Sequence, residues 1–332
     1  MRILFITATR IGDAVLSTGV LDQLLTRHPG ARVTVACGAP AAPLFESVPG
    51  LEALLVVRKQ SYNMHWLKLW SQVGRTRWDL VVDLRASVLS FFVPAKRRQV
   101  VGARTHDLHR VTELQLALGL AEPPAPRLWL AAQDEAAAQR LVPDGPPVLA
   151  LGATANWLPK CWPPERFAAL AEKLTSPRGL LPGARIAVCG GPSEREQVAP
   201  LLEALGPDRL IDLVGVGLRD GAACLARAAL FVGNDSGLMH TSAAVGTPTL
   251  GLFGPSPEQR YGPWGTHCAY VRTPESYAEL TGGPDFSVDT RDCLMASLTV
   301  EAVVEAAESL WQRVGAPSGE LRAGDLRAGA GE

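Results

Sequence analysis

Residues 229–255 read ALFVGNDSGLMHTSAAVGTPTLGLFGP, and their order of residue types sets the fold class. Leu230, Phe231 and Val232 form a short apolar run, which suits a strand buried on both faces. Gly233, Asn234 and Asp235 interrupt it, and either Asp235 or Ser236 can cap a following helix by accepting from its orphan N–H groups. Gly237 leaves room for close approach to the backbone. Gly246 and Pro248 end the helix, and residues 249–253 return as a second strand. A helix whose first turn carries Gly and hydroxyl groups at the carboxyl end of a parallel strand is a prepared anion site. A start at Ser236 puts His240 one turn on, on the same face.

The same strand–turn–helix pattern runs outward from this stretch. At the amino end, residues 2–8 read as a strand, 9–13 as a turn and 14–27 as a helix, with 31–37 the next strand. Further strands are expected at 51–57, 80–84 and 99–101. Residues 121–147 are proline-rich around a helical piece at 133–141. The alternation then restarts, with strands at 148–152, 184–189 and 210–214 and helices at 164–174, 193–205 and 219–228. Such alternation predicts two α/β halves with parallel sheets and ligands at the strands' carboxyl ends. The expected division is a first domain over 1–145, a second over 146–298, an amphipathic helix over 299–314 and a Gly/Ala-rich disordered tail over 315–332.

Composition narrows the function classes. A net charge of −1 gives no global field toward nucleic acid, and none is expected as a partner. The six cysteines are scattered without a CxxC pair, so reduced cytoplasmic thiols are expected rather than a metal site or disulfide framework. No apolar run reaches the roughly 18 residues that a membrane span needs. Gly12 stands alone after the first strand, without the G-x-G-x-x-G fingerprint, which counts against a nicotinamide enzyme.

NDSGLMH followed by GTPTLGLFGPSP, residues 234–240 and 246–257, resembles the donor-site signature of glycosyltransferase family 9, the heptosyltransferases. The resemblance covers roughly residues 1–311 and implies a GT-B fold: two Rossmann-like domains facing each other across a cleft, with the final helix crossing back to the first. It implies inverting transfer of a heptose from ADP-heptose to a lipopolysaccharide inner-core acceptor, Kdo or heptose. The place expected for it is the cytoplasm, or the cytoplasmic face of the inner membrane.

ATRIGDAVLSTG, residues 8–19, resembles the family's opening signature, in which the Asp, here Asp13, is the proposed general base. Attack by a sugar hydroxyl needs such a base, because a neutral alcohol is a poor nucleophile. Arg10 shares that turn and would orient an acceptor phosphate or carboxylate. LGATANWLPKCWP, residues 151–163, resembles the segment whose Lys precedes a Trp-Pro pair. Lys160 is therefore the candidate to offset charge on a departing diphosphate, with Thr154 and Asn156 as hydrogen-bonding partners. Glu194, with Glu196 as alternative, is the ribose candidate, and Val216 borders the base.

Asp235, Ser236, Gly237 and His240 complete the donor set. No metal is required on this reading, though Mg²⁺ is compatible: the helix end, Lys160 and His240 supply the positive side. For the acceptor, Arg85 and the cluster Arg97, Arg98 and Arg104 suit an anionic sugar. The stretch 62–78 interleaves Trp66, Trp70 and Trp78 with Lys68, Arg75 and Arg77, which fits a helix lying on an anionic membrane or a packed helix with a basic edge. The rivals from other classes are a nucleotide-sugar epimerase of the same architecture and a non-catalytic nucleotide-sugar-binding protein.

Overall fold

The computed structural model describes residues 1–58, 64–102, 107–283, 286–287 and 289–315. The expected tail, apart from Gly315, lies outside these residues, as does Arg104. The first half holds β1 (Arg2–Ile6), α1 (Ile11–Arg27), β2 (Arg32–Gly38), β3 (Leu51–Val57), α2 (Met64–Val73), β4 (Trp78–Asp83), β5 (Ala95–Val100) and α3 (Arg110–Leu118). After α4 (Ala132–Leu141) come β6 (Val148–Gly152), α5 (Pro164–Thr175), β7 (Arg185–Gly190), α6 (Arg195–Leu205), β8 (Leu210–Val214), α7 (Leu218–Ala226) and β9 (Leu230–Asn234). The series ends with α8 (Gly237–Ala244), β10 (Thr249–Phe253), α9 (Glu258–Tyr261), β11 (Cys268–Arg272), α10 (Tyr277–Thr281) and α11 (Val300–Val314).

The strands form two parallel sheets, ordered β3-β2-β1-β4-β5 and β11-β10-β9-β6-β7-β8. β6 and β9, central in the second sheet, are buried along their whole length, and β1 of the first is buried from Ile3 to Ile6, which is why these stretches read as apolar runs. In the first sheet, Val15, Leu21 and Leu24 of α1 pack with Ile3, Phe5 and Val35 on one face. Leu69 and Val73 of α2 cover Leu4, Ile6 and Val81 on the other. In the second sheet, Phe167 and Leu170 of α5 cover Leu149, Val188 and Val232. Phe231 and Met239 fill the opposite face with Ala223 and Leu225.

The structure departs from the sequence expectations in three places. α4, expected at the end of the first domain, packs on the second sheet: Ala138 and Val142 join the core of Val148, Ala150 and Ala187. α11, expected to cross back to the first half, packs its apolar face in the second half among the described residues. Its stripe of Val303, Ala307 and Leu310 is buried with α5 and the second sheet, and Arg313 donates to the Cys268 carbonyl at 2.7 Å. That apolar face is satisfied locally, so nothing drives the helix across. β5 begins at Ala95 and takes in Lys96, Arg97 and Arg98, because an exposed edge strand tolerates charge that a central one does not.

α1 is also pinned against the proline-rich connection. A Cβ on Gly19 would lie 2.1 Å from the Pro124 carbonyl oxygen and 2.3 Å from that of Ala125. Gly19→Ala should therefore destabilise the chain by roughly 1–3 kcal/mol, although alanine has the better helix propensity. A urea melt checks this, and an increase in stability would mean that the connection is free to move.

Candidate functional site

The carboxyl ends of the two sheets open onto one cleft of about 640 Å³. Residues 9–13 and Pro40 line it from the first half, and segments from 154 to 261 line the rest. Two helix starts meet there. A Cβ on Gly237 would sit 2.8 Å from Ile11 Cγ2, and one on Gly12 would sit 3.0 Å from His240 Cδ2. Both starts are therefore held close by absent side chains, and both bring unpaired N–H groups to the cleft.

Ser236 occupies the N-cap of α8 in extended backbone, yet its side chain does not cap the helix. Among the described residues its buried Oγ has no partner, nor do Nδ1 of buried His240 and Nδ2 of Asn234. Buried polar groups left without partners next to a cleft invite a ligand. Asn234 Oδ1 instead accepts from the Trp162 N–H at 3.1 Å, and Trp162 Nε1 donates to the Leu298 carbonyl at 2.9 Å. Trp162 is fully buried against Phe167. It anchors the loop, so Lys160, two residues earlier, is held at the cleft wall.

Lys160 Nζ donates to Asp235 Oδ2 at 2.6 Å, and Asp235 is buried. His240 Nε2 lies 4.0 Å from Asp235 Oδ1. Burial pushes the His240 imidazole down to about 4, with the Asp235 carboxylate opposing only in part. His240 is thus neutral near pH 7, which corrects the expectation that it adds positive charge. It offers a hydrogen bond, and the cationic side consists of Lys160 and the helix starts.

Asp13 and Arg10 line the cleft from the turn that opens α1. Thr154 and Asn156 lie beside Lys160, and Glu194 accepts from the Gly191 N–H at 2.6 Å while lining the same cleft. Glu196 is not among the lining residues. Val216 stands with Leu213, Leu218 and Ala222 at an apolar end.

Of the acceptor candidates, Arg85, Arg97 and Arg98 are not among the residues that line this cleft, and Arg104 lies outside the described residues. Arg85 stacks over the Trp66 ring at 5.2 Å, and its N–H donates to Asp83. Arg98 ties down backbone, donating to the Ser90 and Val93 carbonyls at 2.9 and 2.7 Å. Arg97 is exposed on β5, away from the cleft lining. A run of arginines gives no signal that separates a ligand site from a loop clamp.

The sequence reading also missed the Lys160–Asp235 pair, and it missed Tyr261, which lines the cleft beside the buried Arg260–Glu113 ion pair. Among the described residues, no three or more His, Cys, Asp and Glu side chains group as a metal site. No described helix is long and apolar enough to cross a membrane.

Two Rossmann-like sheets with a phosphate-suited helix start in the cleft between them define a GT-B architecture. The sequence pattern of glycosyltransferase family 9 (heptosyltransferase) matches residues 92–281, more than half of the chain. The chain belongs to that family and is a glycosyltransferase. It is 24% identical over 313 residues to lipooligosaccharide heptosyltransferase 2 of Haemophilus influenzae, covering 82% of this chain and 88% of that protein.

Among solved structures, it is similar to a family 9 glycosyltransferase from Veillonella parvula (TM-score 0.76, 22% identity, 94% of this chain and 97% of that one). It is also similar to Escherichia coli ADP-heptose lipopolysaccharide heptosyltransferase II (TM-score 0.73, 20% identity, 95% and 99%). Membership of a transferase family displaces the epimerase and binding-only readings.

The buried His240 has a consequence for stability. An unfolded chain's imidazole takes its proton near 6.5, whereas the folded one stays neutral to about 4. The unfolded state therefore binds the extra proton in between, and stability falls as pH drops from 6.5 toward 4, by roughly 3 kcal/mol. His109, lowered by burial as well, acts in the same direction. Urea melts at pH 7 and 4.5 should show a shallower loss for His240→Asn than for the parent chain.

Proposed function

We propose that this glycosyltransferase moves a heptose, with inversion, from ADP-heptose to an inner-core acceptor of lipopolysaccharide, Kdo or heptose, at the cytoplasmic face of the inner membrane. The observation that carries the reading is the convergence of Lys160, the α8 start and unpartnered Ser236 on one cleft, faced by Asp13. Heptose, its ADP-linked donor and a lipopolysaccharide acceptor are what the similar proteins are named for, and the inner-core sugar, Kdo or heptose, is what the sequence resemblance implies.

The diphosphate lies against Ser236, Gly237 and the α8 N–H groups, with His240 as a neutral hydrogen-bonding partner. Its arrival draws the Lys160 ammonium from Asp235 to the phosphate, where the charge of the departing nucleotide is offset. Asp235, thus released, accepts from sugar hydroxyls. Glu194 holds the ribose, Val216 and its apolar neighbours hold the base, and Thr154 and Asn156 complete the donor contacts. On the other wall, Asp13 takes the proton of the attacking hydroxyl, and Arg10 holds the acceptor's anionic group.

No step in this scheme calls for a metal. Two variants and one titration test it. Asp13→Asn should lower kcat by roughly 10²–10⁴-fold while ADP still binds. Lys160→Met should lower kcat by about 10²-fold or more. Calorimetry with ADP, UDP and GDP in EDTA should show preference for ADP. Full transfer activity in the Asp13 variant overturns the base assignment, and a preference for UDP or GDP overturns the donor.

A further inference from the structure

A second feature lies outside the cleft, on the outer face of the first sheet. Six of the thirteen large apolar side chains exposed among the described residues belong to α2 and the short turn after β4: Met64, Leu67, Trp70, Val88, Phe91 and Phe92. Val88, Phe91 and Phe92 are 69%, 64% and 68% exposed, against 59% for Leu67 and 46% for Trp70. The two elements form one surface, because Trp70 Nε1 donates to the Phe92 carbonyl at 3.0 Å. Exposed aromatic groups cost solubility, and a cluster of them marks a contact surface.

The chemistry around this cluster identifies the partner. Residues 58–102 carry nine Lys and Arg against two acids in a chain whose net charge is −1. Of the acids, Asp83 is buried in its own loop and Asp79 is paired with Lys96 at 2.7 Å. Lys68, Arg75 and Arg77 are exposed and make no ion pair among the described residues. They stand beside the apolar cluster. The Gly74 N–H bonds the Trp70 carbonyl at 2.7 Å, and the Trp78 N–H bonds that of Pro94, two residues past Phe92.

We propose that this face seats on an anionic lipid bilayer. Leu67, Trp70, Phe91 and Phe92 enter the headgroup boundary, while Lys68, Arg75 and Arg77 meet lipid phosphates. A second copy of the chain is disfavoured, because a two-fold contact would set this basic surface against itself. The proposal deepens the functional reading, since a lipid-borne acceptor would be met at such a surface, but its test does not depend on turnover.

The experiment is sedimentation with vesicles of phosphatidylglycerol and phosphatidylethanolamine, and with phosphatidylcholine alone, at low and high salt. The full chain should sediment with the anionic vesicles at low salt, and less at high salt. Phe91→Ser/Phe92→Ser and Arg75→Glu/Arg77→Glu should each weaken that binding roughly tenfold or more. Calorimetric ADP binding should be unchanged in both variants, which shows that they are folded.

Equal binding to phosphatidylcholine, or parent-like binding by the Phe variant, overturns the proposal. So does a dimer that the Phe variant disperses without lipid. Loss of ADP binding in the parent chain would count against the donor reading and leave the surface standing.

Discussion

Two helix starts are brought together where neither Gly12 nor Gly237 has a side chain, and the site depends on that contact. A methyl group on Gly237 would crowd Ile11 at 2.8 Å and one on Gly12 the His240 ring at 3.0 Å, so either would disturb the packing between the starts of α1 and α8. Close approach places two sets of unpaired N–H groups, with the positive ends of two helix dipoles, around one space. Like partial charges at such range are unfavourable unless an anion lies between them. The same contact seals His240 from water, which keeps the imidazole neutral. The anion site and the neutral histidine thus share one physical cause.

Charge at the site is arranged before any ligand arrives. Lys160 sits on a loop whose following residue but one, Trp162, is locked by Asn234, Phe167 and the Leu298 carbonyl. Pairing Lys160 with buried Asp235 lets the cleft keep a cation without leaving either charge unmatched. On the proposed reading, an incoming phosphate has to replace that carboxylate, which favours a multiply charged group over a single one, and selectivity for a diphosphate follows from the pair and not from the lysine alone.

Much of this was legible in residue order. The central strands read correctly because burial on both faces leaves no polar position to confuse the period, as in Leu230 to Val232 and Val148 to Gly152. Edge and contact features did not. β5 carries Lys96, Arg97 and Arg98 on an exposed strand, so its sequence resembles a ligand-binding basic loop, although Arg98 bonds backbone carbonyls. α11 shows an apolar stripe, and a stripe does not say which sheet covers it. The Lys160–Asp235 pair joins residues 75 positions apart, beyond the reach of local spacing.

The cleft lining is unequal between the halves, and that bears on how the chemistry is divided. Among the described residues, the first half contributes the turn at residues 9–13 and Pro40, and the second contributes the rest of the lining. On the proposed reading, the nucleotide sugar is held almost wholly by the second half, and the first supplies the base and the acceptor's contact. Such a division makes alignment of the halves a condition of reaction, because misplacing a base by an ångström costs rate steeply. The structure ties the halves together through residues outside the cleft lining. Glu113 of α3 pairs with Arg260 at 3.0 Å, His109 Nε2 meets the Gly262 carbonyl at 2.9 Å, and Arg219 of α7 pairs with Glu46 at 2.6 Å. Glu113 is buried and shared between Arg260 and Arg110, the latter at 2.6 Å, so the tie belongs to a buried charge cluster. On the proposed reading, register between donor and base is therefore held by groups outside the cleft lining, and the reacting turn carries Asp13 and Arg10.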